Sequence, residues 1–152
     1  MNKILIGIDP GLKNTGLAIK DFKNNLTLKT VSFWEAIGII KLYSPGLLKI
    51  YIEDSSQNKT VFAKFRIPLK YNFVQDKINY VGKIAQNIGE NKACAKLFID
   101  YFERNNIKFY AMRPNKNSMT KISKERFEKI SKYKGRSSEH SRDAYFLIAG
   151  RW

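Results

Sequence analysis

Apolar and polar positions change rhythm several times along the chain, and each rhythm predicts an element. Residues 4–8 (ILIGI) form an almost unbroken apolar run closed by Asp9, Pro10 and Gly11. A short apolar run bounded by turn residues predicts a strand buried on both faces. Residues 15–19 (TGLAI) and 26–33 (LTLKTVSF) predict two more strands with a hairpin turn at 21–25, so the chain opens as a three-strand meander. A short helix is predicted over 34–42, stopped by Ser44-Pro45-Gly46. Residues 47–53 (LLKIYIE) alternate like a strand, which ends on the carboxylates Glu53 and Asp54.

The pattern then breaks. Residues 55–71 have no settled period and mix Lys59, Lys64, Arg66 and Lys70 with Phe62 and Phe65, which predicts a mobile basic and aromatic loop. From 76 to 105 apolar residues return at near-helical spacing with Gly89 in the middle, predicting one long helix or two joined there. Residues 107–112 (IKFYAM) predict another strand, ended by Arg113-Pro114. A lysine-dominated segment, 116–134, contains a helix over 123–131, and a final helix is expected over 138–152. A meander followed by alternating helix and strand implies an α/β fold, a mixed five-stranded sheet flanked by helices. The chain is expected to form one domain over 1–152, since 152 residues suffice for one substantial core and are few for two.

Charge narrows the function. Twenty-eight Lys and Arg against 13 Asp and Glu leave a net charge of +15, typical of proteins that meet a polyanion. Nucleic acid is the leading partner. No apolar run approaches the roughly 18 residues of a membrane span, and the chain's beginning is too short in apolar residues for a signal peptide. Cys94 is the only cysteine, so no intrachain disulfide or cysteine-based zinc cluster forms, and a reducing, cytoplasmic setting is expected.

Against that positive background the carboxylates stand out. Asp9 closes the first strand, where the bland reading is a turn-starting aspartate and the sharper one a group held rigidly for chemistry. In the last helix (SSEHSRDAYFLIAG), with Ser138 as N-cap, Glu139 and Asp143 stand at i, i+4, and His140 and Asp143 share a face at i, i+3. Acidic residues also suit any helix start. Two divalent cations about 4 Å apart can activate water and stabilise the leaving oxygen in phosphodiester hydrolysis, and holding them takes about three carboxylates or their equivalents. Asp9, Glu53 and Asp143 with His140 are the candidates. Hard oxygen ligands point to Mg²⁺, or to Mn²⁺ with one imidazole.

At these residues the chain resembles the RuvC-type Holliday junction resolvases of the ribonuclease-H-like superfamily. GIDPGLKNTG is similar to the family's opening strand and turn, IYIED to its Ile-Glu strand end, IGENKACAKL to its Gly-containing helix, and HSRDA to its final pattern. The resemblance runs in order over most of the chain. It implies a metal-dependent crossover junction endodeoxyribonuclease acting in DNA recombination and repair, with Asp9, Glu53, His140 and Asp143 as the metal-binding catalytic set. Lys124, in KERF, falls where the family has a basic residue near the scissile phosphate, with Lys121 as a second. Alternation alone does not separate Glu53 from Asp54; the motif does. The family's aromatic three residues after the catalytic Glu is replaced by Ser56, while Phe62 and Phe65 follow in a longer loop, closer to the phage or mobile-element branch. Lys59, Lys64, Arg66, Lys70 and Lys116, with Phe62 and Phe65, are the expected DNA-binding residues. Two matched cuts imply a homodimer, expected to pair through the long helix around Gly89, Cys94 and Phe98.

Rival readings are few. An actin-like or sugar-kinase ATPase needs a second phosphate hairpin and much more chain, and no GKS or GKT follows to make a Walker loop. A flap or fork nuclease, an RNA-directed hydrolase, or a non-catalytic nucleic-acid-binding module with this fold are the remaining alternatives.

Overall fold

A computed structural model describes residues 3–57, 67–114 and 122–151. Its centre is a five-stranded sheet made of β1 (Ile4–Asp9), β2 (Thr15–Lys20), β3 (Leu26–Val31), β4 (Leu48–Glu53) and β5 (Phe109–Met112). The strand order is β3-β2-β1-β4-β5. The first three strands are the antiparallel meander, and β4 and β5 run parallel to β1. With its flanking helices this is the mixed α/β arrangement that the hydrophobic pattern predicts. Among the described residues four α-helices complete it: α1 (Phe33–Ile40), α2 (Val74–Arg104), α3 (Lys124–Ser131) and α4 (Glu139–Ile148).

Alternation along β1 explains why its sequence is apolar on both faces. Ile4, Ile6 and Ile8 join Ala36, Ile37 and Ile40 of α1 and Cys94, Phe98 and Phe102 of α2 in one core layer. Leu5, on the other face, joins Tyr51, Phe127 of α3, and Ala144 and Ile148 of α4 in a second. Helices therefore cover both faces, and β1 lies at the middle of the sheet with no exposed side.

Where boundaries differ from the sequence pattern, capping decides. The third strand ends at Val31, short of Phe33, because Ser32 caps α1: its side chain accepts from the Glu35 amide while the Glu35 carboxylate accepts from the Ser32 amide at 2.8 Å. The final helix stops at Ile148; Ala149 is its C-cap, and Gly150 follows at φ +72°, a left-handed turn that glycine adopts without strain. Gly89 does not break α2, which runs unbroken for 31 residues. Among the described residues no helix is long and apolar enough to cross a membrane.

The packing of α4 depends on two absent side chains. A Cβ on Gly7 would lie 2.0 Å from the Ala144 carbonyl oxygen, and one on Gly16 would lie 2.1 Å from that of His140. Both glycines let the helix backbone rest directly on the sheet. Gly16→Ala is therefore expected to lower stability by about 3 kcal/mol in urea unfolding, because backbone must move. Gly89→Ala, whose new methyl meets nothing within 4 Å, is expected to raise it by about 0.5–1 kcal/mol.

Candidate active site

Asp9 and Glu53 reach the site as strand ends. The parallel register pairs Ile8 with Ile52, so the next residues, Asp9 and Glu53, leave adjacent strands side by side. Each shares a sheet face with a residue two positions earlier, Gly7 and Tyr51, and that is the face α4 covers. In the antiparallel direction Asp9 pairs with Gly16. Since Gly16 has no side chain, the first turn of α4 passes over it and delivers His140 to Asp9, Nδ1 to Oδ2 at 2.8 Å.

Asp143, one turn further along α4, completes the cluster, and its Oδ1 is withdrawn from solvent. Burial pushes the Glu53 carboxyl up to about 7, and the negative charges of Asp9 and Asp143 add to the push. His140 is held above its ordinary value chiefly by its hydrogen bond to Asp9, with Asp9, Asp143 and Glu139 all favouring the imidazolium electrostatically. Three carboxylates thus crowd together beside His140, whose imidazolium form they favour.

The neighbouring Asp54 behaves differently, and the structure separates the two acids that alternation left open. Asp54 is buried and closes the short 3₁₀ turn Ser55–Gln57, accepting from the Ser56 amide at 3.0 Å, the Ser56 hydroxyl at 2.6 Å and the Gln57 side-chain amide at 3.2 Å. Its hydrogen-bonding capacity goes into the loop after β4, which leaves Glu53 as the carboxylate facing Asp9. The turn after β1 does not use Asp9 either: the Thr15 hydroxyl donates to the Gly11 carbonyl and accepts from the Gly11 amide.

Other expected residues fall elsewhere. Lys124 opens α3, and its half-exposed ammonium lies 3.7 Å from Glu128 on the same helix. Lys70 is exposed, its ammonium over the Tyr71 ring at 5.1 Å. Lys59, Phe62, Lys64, Phe65, Arg66, Lys116 and Lys121 lie outside the described residues. Motif reading passed over Arg142, between His140 and Asp143. It is buried, and its guanidinium donates to the Ile122 carbonyl at 3.0 Å and to Ser137, tying α4 to the segments before α3 and before itself. A buried arginine beside the motif looks like one more surface cation in a chain this basic. Beside the start of α4 a cleft of about 600 Å³ opens between β3 and Arg136, Ser137 and Ser138.

The donor set suits hard divalent cations in chemistry, because three carboxylates crowd together with too little positive charge. Its geometry is not a closed cage: among the described residues no three His, Cys, Asp or Glu side chains are already arranged to hold an ion. The His140–Asp9 pairing occupies part of the same donor set. Cation binding by these groups would compete with that hydrogen bond at Asp9 Oδ2 and with the proton on Glu53, whose carboxyl is pushed up to about 7.

No protein-family model matches the chain, and no curated protein sequence matches it either. Among solved structures the chain is similar to Thermus thermophilus RuvC in complex with a Holliday junction substrate, with 14% identity, 97% of this chain and 95% of that one covered, and a TM-score of 0.45. The fowlpox virus Holliday junction resolvase is similar with 19% identity, 95% and 94% covered, and a TM-score of 0.40.

The electrostatics give a pH signature for the metal-free protein. Glu53 binds its proton more tightly folded than unfolded, so its contribution to stability falls as pH rises from about 4.5 through about 7. Glu53→Gln should remove that loss. Relative to wild type, the variant is expected to gain on the order of 2 kcal/mol near pH 8 and nothing near pH 4, allowing for solvent screening, as read by thermal unfolding in chelator. An equal gain at both pH values would sink the assignment.

Proposed function

We propose that the chain is a structure-selective endonuclease that resolves four-way DNA junctions, a single nuclease domain working as a homodimer with Mg²⁺ or Mn²⁺. The observation that carries the reading is the convergence of Asp9, Glu53, Asp143 and His140 at the ends of the adjacent inner strands β1 and β4 in a protein with net charge +15. A general polyanion binder has no use for three carboxylates that raise one another's energy. A nuclease does, because phosphate and carboxylates repel until cations bridge them.

Asp9, Glu53 and Asp143 would hold the cations, with His140 swinging from Asp9 to join them. Bound there, a pair of divalent ions supplies a nucleophilic water and stabilises the leaving oxygen. The chain's own contribution is positional. The ends of β1 and β4 fix Asp9 and Glu53, and α4, seated on Gly7 and Gly16, fixes the other two. Lys124 lies on the same side of the sheet, since Phe127 of its helix packs in the α4 layer, and it would neutralise substrate phosphate.

Symmetric resolution needs two such sites. The dimer surface expected around Cys94 and Phe98 is corrected by burial: both side chains are almost wholly enclosed in the chain's own core, with nothing left to offer a partner. No residue of α2 ahead of Cys94 is buried. On that free half Val74 and Ile78 are exposed, continuing the exposed Leu69 and Phe73. A second copy of the chain is the partner this apolar flank suits, because pairing two such helices shields both.

Asp9→Asn, Glu53→Gln and Asp143→Asn are each expected to abolish Mg²⁺-dependent cleavage of a labelled four-way junction while binding persists. The same changes should erase the rise in melting temperature that Mg²⁺ produces in wild type, a readout independent of turnover. Intact cleavage in all three would overturn the site. Linear duplex serves as the selectivity control.

For the dimer, Ile78→Glu should give a monomer by light scattering and convert paired incision into single nicks. A variant that stays dimeric places the interface elsewhere.

A further inference from the structure

On the α4 side of the sheet, away from the carboxylates, three cations are gathered on two tyrosines. Tyr51 of β4 and Tyr110 of β5 are paired residues whose rings stack at 4.9 Å with 15° between planes. Arg151, just beyond α4, sets its guanidinium 4.8 Å from the centre of the Tyr51 ring. The Lys49 ammonium lies 5.6 Å from Tyr51 and 5.7 Å from Tyr110, and that of Lys108 lies 5.7 Å from Tyr110. The nearby Tyr51 side chain holds the Lys49 ammonium above the ordinary lysine value.

Such a cluster is unfavourable on its own, because like charges repel and each ordered lysine or arginine loses side-chain entropy. Lysines on an edge strand such as β5 are a common guard against edge-to-edge pairing. That role needs only that charge be present. It does not require an arginine from another element or ammonium groups fixed over aromatic faces. Among the described residues none of the three cations is in an ion pair with a carboxylate. A fixed array of uncompensated cations is pre-organised for a partner of fixed negative spacing, since the ordering is done before binding.

The array also has a register with the carboxylate site. Lys49, Tyr51 and Glu53 alternate along one face of β4. At about 3.3 Å per residue, Lys49 lies roughly 13 Å from Glu53 along the strand. For a duplex arm whose axis runs along β4, one strand rises about 3.4 Å per phosphate, so in that orientation the distance corresponds to about four phosphates.

We infer that Lys49, Lys108 and Arg151, held on the Tyr51–Tyr110 stack, form a second nucleic-acid contact that grips the phosphodiester backbone of a substrate arm about four nucleotides from the cut. The inference rests on the nuclease reading for the identity of the polyanion. An acidic protein lacks a reason to meet the face that carries the carboxylates.

The test uses full-length protein carrying Asp9→Asn, so that DNA survives, and measures junction binding by anisotropy over a salt series. Adding Lys49→Ala, Lys108→Ala and Arg151→Ala is expected to weaken binding roughly fivefold to tenfold per contact near 0.1 M salt and to flatten the log-log salt slope by about 0.9 per contact. A charge-matched control, Lys23→Ala, Lys83→Ala and Lys92→Ala, should lose less than a third as much slope. Tyr110→Leu keeps every charge, so it should weaken binding severalfold with the slope nearly unchanged.

Neutral methylphosphonates placed three to five positions from the cut should weaken the parent and leave the array triple variant unaffected. Equal losses in the two triple variants, or additive effects of methylphosphonate and array removal, would overturn the array while leaving the nuclease reading intact. A parent that binds no DNA would overturn both. Circular dichroism of each variant separates these outcomes from misfolding.

Discussion

The close seating of α4 on the sheet is the contact from which the candidate site follows. A helix ordinarily stands off a sheet on a layer of interlocking side chains. Here Gly7 and Gly16 remove that layer at two points, and carbonyl groups of Ala144 and His140 lie where Cβ atoms would be. That approach brings a helix turn level with the ends of β1 and β4. Two acids from strands and an acid and a histidine from a helix, separated by up to 134 positions in sequence (9 to 143), thereby meet in one pocket. Arg142 and the contact between the Thr30 and Ser138 hydroxyls pin the same turn from its other sides.

Crowding the acids stores a tension in the metal-free protein. Glu53 titrates near neutrality because burial and two neighbouring carboxylates oppose its ionisation, and His140 is drawn toward Asp9 as the available counter-charge. Both effects weaken the folded state as pH rises, since each favours the protonated form. On the proposed nuclease reading, cations that relieve this repulsion would also give the site its affinity for phosphate, and the basic surface would act at longer range, drawing nucleic acid toward carboxylates that otherwise repel it.

The two halves of α2 illustrate how one helix can serve two environments. Its second half carries Cys94, Phe98 and Phe102 into the core at helical spacing, and the Cys94 thiol is pushed up to about 11 mainly by burial. Its first half leaves Val74 and Ile78 exposed. The apolar periodicity is similar in both, so the pattern alone points each half toward a core. Burial separates the two halves: the residues of α2 before Cys94 are exposed or half-buried, whereas Cys94, Ala95, Phe98 and Phe102 are enclosed.

Local chemistry determined much of this protein from sequence alone. The strands are legible because alternation and turn residues act over a few positions, and a mixed sheet covered by helices follows from a meander succeeded by helix and strand. Asp9, Glu53 and Asp143 were legible as candidates because carboxylates at element ends in a strongly basic chain are conspicuous. Alternation does not separate Glu53 from Asp54, and the choice of Glu53 rests on the motif; the tertiary structure supplies the physical reason, Asp54 closing a turn while Glu53 leaves its strand beside Asp9. It also decided that Cys94 and Phe98 are core, and that Tyr51, Tyr110 and Arg151 meet. Those outcomes depend on register and on how near α4 comes to the sheet, which are set by packing between elements far apart in the chain.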